Sequence, residues 1–550
     1  MRDLPRILLP QPLVIAVPLA SLFFAMSLTP SLVPRDTAVQ AILSGFSLAA
    51  GYAVGRLIAA VWDRLQLPLL RPVWLKRVRI ATVSLCLVAA IVTLWMASDW
   101  QNGLRLLLSM PPVETARPFS IASGALAVFL ILLWSVRLVS WLVRRLSAKF
   151  ARILPGPQAL LISLLLTAIL FWNVGNGVII RNALNAADTI YAGLDGRFED
   201  SSPHPQGALK TGAIESLIPW ESLGRTGRAM IAAGPDQAQI ADLTGAAAQE
   251  PLRVYVGLSS APDPVARAQL ALEELLRIDA FSRGTLVIAT PTGTGWVDPA
   301  GQQALEYLLG GDVATVSVQY SYLASWIALL TDPEYGVETA RAVFSAVYDH
   351  WRDLPAERRP ALYLNGLSLG SLNSDLSHDL HQVVGDSFNG ALWVGPPFGS
   401  PTWLDVTRNR NPGSPAWLPS FRDGSAVRFM NQTGLTSDVT APWGRFRILY
   451  LQHASDAVVF FDPRATWRRP DWMAAPRGPD VSPGFHWLPI VTSLQLVVDI
   501  MTAVKPPDGF GHSYDFASYA RAWAMLMDLQ DWPEARLQAL VADRAALHQE

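Results

Sequence analysis

Apolar positions fall into two regimes along the chain. Before residue 180 they run together, and five stretches, 11–29, 39–61, 80–98, 120–142 and 158–180, are long enough to cross a bilayer as helices. After residue 250 they come in short blocks. Six runs of strand length, 252–257, 285–290, 314–320, 361–366, 390–395 and 447–452, are interleaved with helical patterns at 266–278, 302–309 and 337–354. In the last of these, Ala340, Val343, Phe344, Val347 and Trp351 mark one face, as in a helix covering a sheet. Such alternation predicts an α/β fold with a mostly parallel sheet. Residues 181–250 are polar and weakly periodic and read as a linker and lead-in. The predicted organisation is a transmembrane helical domain at 1–180, this linker, and an α/β domain at 251–550.

Composition supports the first regime. Only 16% of the 550 residues are charged and 51% are hydrophobic, against about 25% charged in soluble proteins. Basic residues orient the spans. Arg64, Arg71, Lys76, Arg77 and Arg79 separate the second and third, and Arg144, Arg145, Lys149 and Arg152 the fourth and fifth. The first and third connections carry few, so the basic loops and the N-terminus are expected in the cytoplasm of a multi-pass (inner) membrane protein. With five spans, the α/β domain then lies outside the cytoplasm. The first span follows Arg2 and Arg6 like a signal peptide, but lacks a convincing cleavage site and reads as retained. Arg56 and Arg137 lie near cytoplasmic ends, where snorkelling explains them. A net charge of −2 points to no nucleic acid. The single cysteine, Cys86, excludes a disulfide framework and a cysteine metal site. His378 and His381 share a helical face but lack carboxylate partners, so no metal or other cofactor is expected.

The chemistry concentrates at Gly366-Leu367-Ser368-Leu369-Gly370, which follows an apolar run and precedes a helical one. This is the context of a nucleophile elbow, and with the predicted strands it describes an α/β-hydrolase core. A serine needs a general base, and the base an orienting carboxylate, in the order Ser, acid, His. Asp456 follows the strand ending at Gln452, and His512 sits in the glycine-rich loop Gly509-Phe510-Gly511-His512. The predicted triad is Ser368, Asp456 and His512, with His486 as the rival base and His453 as a neighbouring contact. Oxyanion donors are expected at the amides of Leu369 and of Thr292 or Gly293, with 256–260 as the rival loop. Arg468, Arg469 and Arg477, set among tryptophan and proline, are candidate substrate contacts for an anionic group; Arg–Asp pairing within a rigid loop is the other reading. Residues 397–440, rich in Pro, Trp, Arg and Asn, occupy the usual place of a cap.

The GLSLG elbow, the HASD loop at 453–456, the WRRPDW and PRGPDVSP segments, the GHSY loop at 511–514 and the lead-in SLIPWESLGR at 216–225 together resemble a bacterial family. It is the membrane-bound α/β-hydrolase family that joins a multi-span N-terminal region to a C-terminal serine hydrolase domain. The resemblance spans most of the chain and implies the hydrolase fold and a serine nucleophile at Ser368, but no substrate. The expected function is a membrane-anchored serine hydrolase of the esterase, lipase or thioesterase kind, acting on an acylated lipid or envelope component. An acyltransferase with a membrane alcohol as acceptor uses the same residues. A non-catalytic binding or assembly protein on a hydrolase scaffold is the alternative of another class, and a transporter ranks last.

Overall fold

The computed structural model describes residues 12–67, 72–172, 204–322, 336–436 and 439–547. By contacts the chain divides into two units. The first comprises Met1–Asn185, Phe461–Met473 and Asp480–Pro506; the second comprises Ala186–Phe460, Ala474–Pro479 and Pro507–Glu550.

The first unit is built on five helices, α1 (Pro12–Ser27), α2 (Thr37–Arg64), α3 (Pro72–Leu107), α4 (Pro118–Phe150) and α5 (Gly156–Trp172). Glycines let α2 approach its neighbours. A methyl at Gly51 would lie 2.4 Å from the Leu19 carbonyl of α1, and one at Gly45 would lie 2.5 Å from the Val128 side chain of α4. Small residues at helix contacts are how apolar helices pack without a water-driven force. Among the described residues three helices, not about five, are long and apolar enough to span a membrane: Thr37–Arg64, Arg77–Leu107 and Pro118–Phe150. The described part of the first expected span is a helix of 16 residues and that of the fifth one of 17, about 24–26 Å at the helical rise beside a ~30 Å hydrocarbon core. The expected fifth span also runs past Trp172, beyond the described residues.

This unit also takes in chain from near the C-terminus. Helix Val491–Met501 packs against α1 and α2. Its Asp499 accepts hydrogen bonds from Ser31 Oγ at 2.9 Å and from the Leu32 amide at 3.0 Å, and lies 3.8 Å from Arg35 Nε. All three of Ser31, Arg35 and Asp499 are buried. Residues 461–506 therefore do not all belong to the expected 251–550 domain: the segment leaves it just after the predicted acid and rejoins it just before the predicted base.

The second unit is an eight-stranded sheet of order β1-β3-β2-β4-β5-β8-β6-β7. The strands are β1 (Leu252–Val256), β2 (Thr285–Thr290), β3 (Val313–Val318), β4 (Ala361–Leu367), β5 (Gly390–Val394), β6 (Val427–Asn431), β7 (Gly434–Leu435) and β8 (Arg447–Leu451). All neighbours pair in parallel except β6 and β7. β1 to β5 and β8 are the six apolar runs of the sequence, buried along most of their length because helices cover both faces.

Two expected boundaries are corrected. Part of the supposed cap at 397–440 is sheet: β6 pairs with β8, Val427 opposite Ile448. The described part of the supposed linker, from residue 204, belongs to the sheet's unit, with helices Gly224–Ala232 and Gln237–Thr244. It packs closely there. A methyl at Gly227 would lie 2.4 Å from the Tyr255 ring of β1, and one at Gly257 would lie 1.9 Å from the Ser222 carbonyl.

Candidate active site

The elbow is a tight turn between β4 and helix Leu369–Asp375. Ser368 has φ 57° and ψ −127°, a conformation that side chains with a Cβ avoid and that persists only where the surroundings enforce it. They do so here through close backbone contacts. A methyl at Gly366 would lie 2.4 Å from the Gly370 carbonyl, and one at Gly370 would lie 2.3 Å from the Thr290 carbonyl. The register of β2 on β4, Thr290 opposite Gly366, brings the 291–296 turn beside the elbow.

Ser368 also donates its amide to Val394 at the end of β5, at 2.9 Å. The next residue, Gly395, lies against the His512 ring, whose Cε1 would be 2.7 Å from a methyl placed there. The imidazole thus sits beside the strand end to which the elbow is tied. His512 Nδ1 lies 2.7 Å from Asp456 Oδ2. Since a carboxylate only accepts, the ring proton is on Nδ1 and Nε2 carries the free lone pair. Nε2 is buried without a hydrogen-bond partner, so His512 does not engage the Ser368 hydroxyl in this conformation. Such contacts are commonly long in resting enzymes.

Asp456 is held by more than the histidine. Tyr514 donates its hydroxyl to Oδ2 at 2.7 Å, and the Val458 amide donates to Oδ1 at 2.8 Å. The Tyr514 phenol is pushed well above its usual range, first by burial and then by this carboxylate. The base and acid loops are tied together twice more: Gly511 N donates to Ser455 Oγ at 2.9 Å, and His453 Nδ1 lies 3.0 Å from the Gly511 carbonyl. His453 stacks on Tyr514 with ring centres 4.2 Å apart. His453 therefore braces the His512 loop.

Asp298, which the sequence reading missed, lies at the head of helix Pro299–Leu308, a few residues beyond the Thr292 turn. It accepts from the Ala300 amide at 3.0 Å and from the Tyr519 hydroxyl at 3.1 Å. Burial pushes its carboxyl up to about 6; the two donors and the charge of His512 oppose this, while Asp508 adds to it. An unfolded aspartate titrates near 3.8. The folded state thus binds an extra proton between these values, and the stability this confers is full below the lower value and lost as pH rises through about 6. Asp298→Asn is expected to flatten the decline in unfolding temperature from about pH 4 to about pH 7. Parallel wild-type and variant profiles would refute the assignment.

The remaining candidates divide. The amide of Leu369 opens a helix, where the first N–H groups have no intrahelical partner. The Thr292 amide is already donated to the Trp296 carbonyl at 2.9 Å, which removes it as an oxyanion donor in this conformation; Gly293 is buried in the same turn. His486 is exposed and belongs to the first unit. Arg468 and Arg469 are exposed residues of the first unit and Arg477 belongs to the second. Arg468 pairs with Asp471 at 3.7 Å. His378 is held neutral by burial, its pKa near 4, between the rings of Phe344 and Phe388. Among the described residues no cluster of histidine, cysteine and carboxylates could hold a metal ion.

Comparison with known proteins gives two family matches. Residues 252–540 match the family described as "Alpha/beta-hydrolase family", and residues 28–235 match "Alpha/beta-hydrolase family N-terminus". No protein of curated function matches. A solved chain from work on LipS and LipT, two metagenome-derived lipolytic enzymes, is similar at 15% identity over 31% of this chain and 85% of its own, with a TM-score of 0.16.

Proposed function

Because the chain belongs to the alpha/beta-hydrolase family, we propose that it is a membrane-anchored serine hydrolase that cleaves acyl esters or thioesters. The observation that carries this reading is the 2.7 Å contact of His512 on Asp456 with Nε2 left bare beside the elbow. Ser368 Oγ attacks the acyl carbonyl as its proton passes to His512 Nε2. Asp456 holds the tautomer and balances the imidazolium. The Leu369 amide faces the charge that develops on the carbonyl oxygen. Collapse of the tetrahedral species breaks the carbonyl bond to the leaving alcohol or thiol, which takes the proton from His512. Water, deprotonated by the same nitrogen, then attacks the acyl-serine and frees both acid and enzyme.

Anchoring is supported by the three membrane-length helices, and an acylated lipid or envelope component is the substrate class that suits an enzyme held there. On the reading that the fifth apolar stretch, 158–180, also crosses, the distribution of basic residues favours a catalytic unit outside the cytoplasm. Protease added to intact spheroplasts is expected to degrade that unit, and complete protection would reverse the orientation.

Fluorophosphonate labelling of membranes carrying the wild type beside Ser368→Ala tests the chemistry. The expected result is a label on the wild type that vanishes with Ser368. A folded wild type that takes no label would count against an activated serine.

A further inference from the structure

Within the first unit, the α1–α2 and α3–α4 connections meet over a cavity of about 750 Å³. The Arg35 amide donates to Gln101 Oε1 at 3.1 Å, joining the α1–α2 connection to the last turns of α3. Membrane-length α2 begins at this cavity, α3 ends at it and α4 begins at it, since Thr37, Arg105 and Arg117 all line it. Its volume suits a small-molecule ligand.

The lining is of two kinds. Leu28, Ala97 and Ile121 give a buried apolar floor. Charge is concentrated at the sides, and much of it is already matched. Arg35 gives its Nη groups to Ser27, Thr29, Ser31 and Gln40 and faces Asp499, while Lys505 is paired with Asp36. Arg105 donates Nε to the Pro111 carbonyl at 2.6 Å, which leaves its Nη fork uncommitted. Arg117 heads α4 at φ 53°. Among the described residues no carboxylate pairs with Arg105 or Arg117, and Glu114 is the one acidic lining residue not paired with a cation.

We infer that this cavity binds the phosphate-bearing head of an anionic amphiphile, gripped by Arg105 and Arg117 with its chain directed along the apolar helices. Guanidinium forks suit phosphate oxygens, and the surplus positive charge disfavours a zwitterionic head. Next to the cavity the helices offer outward-facing apolar surface: Phe119 is 89% exposed and Leu106 65%. The inference rests on the proposal that α2 to α4 cross a bilayer, but not on the hydrolytic chemistry.

The test uses full-length protein in neutral detergent, in a Ser368→Ala background so that turnover cannot consume the lipid. Native mass spectrometry compares retention of phosphatidylglycerol and of phosphatidylcholine with the same chains. Phosphatidylglycerol is expected to be retained selectively, and Arg105→Gln with Arg117→Gln to weaken it by about tenfold or more, as loss of charge-assisted bonds implies. The same charge removed at the other end of α4, Arg144→Gln with Arg145→Gln, is expected to leave retention unchanged. Equal retention of phosphatidylcholine, or equal loss in the two double variants, would overturn the site. Displacement by excess inorganic phosphate would overturn the amphiphile in favour of a free anion.

Discussion

Ser368→Ala is expected to lower turnover of an activated ester by about 10⁴- to 10⁶-fold, with the unfolding temperature unchanged. The variant keeps the backbone that Gly366, Gly370 and Val394 impose at φ 57° and removes only the attacking oxygen. His512→Ala should fall to a similar floor, because a serine without a base is an ordinary alcohol, and combining the two should cost no more than either alone. A His486→Ala variant should retain activity. Ser368→Gly adds a second readout, since glycine relieves the strain at this φ. It should be inactive yet about 1 kcal/mol more stable than the alanine variant. Residual turnover above about a tenth of wild type in Ser368→Ala would remove the serine from the chemistry.

The second large effect concerns stability. Asp499→Ala strips the buried partner from Arg35, Ser31 Oγ and the Leu32 amide together. Breaking a buried pair from one side costs about 3–5 kcal/mol, because the surviving charge stays buried and unmatched. Burial already pushes the Asp499 carboxyl up to about 6 in spite of Arg35, so desolvation outweighs the attraction even in the intact pair. Asp499→Asn keeps one acceptor oxygen, enough for either Ser31 Oγ or the Leu32 amide, while losing the charge, and should fall between wild type and alanine. Thermal unfolding in detergent, with limited proteolysis of residues 461–506, measures the effect. An unchanged unfolding temperature in Asp499→Ala would show that this contact contributes nothing.

The parts legible in the sequence were those written locally. The strands flanking Ser368 are short apolar blocks bounded by turns, and both faces of the sheet are covered, so the signal is dense. β6 was not legible. It is five residues long with Arg428 inside it, a charge that disqualifies a core strand until its partners are known. Arg428 is held by the Gly424 and Ala441 carbonyls and lies 3.8 Å over the Trp443 ring, contacts no local pattern reveals. Among the described residues three helices reach membrane length where five spans are expected; α1 and α5 are apolar, and their described parts are shorter. Asp298 and Tyr514 were missed as supports for the same reason as β6, whereas His453 was legible as a neighbouring contact. The hydroxyl of Tyr514 matters only once Asp456, 58 residues away, is placed beside it. The Thr292 loop was located from its glycines, but the use of its amide by Trp296 is a matter of turn geometry.

The contact between Ser31 and Asp499 closes over 468 residues, and this sets an order of events during synthesis. Helices α1 and α2 are made first, yet the carboxylate that answers Arg35 is made only after the strands of the sheet. A nascent chain halted anywhere before residue 499 therefore holds Arg35 without this carboxylate. The early helices must wait in an incomplete state while more than four hundred residues are added, and so long a closure is slow on entropic grounds alone. For the same reason no single cut separates the two units: a fragment beginning at the sheet would carry helix Val491–Met501 without α1 and α2, against which it packs.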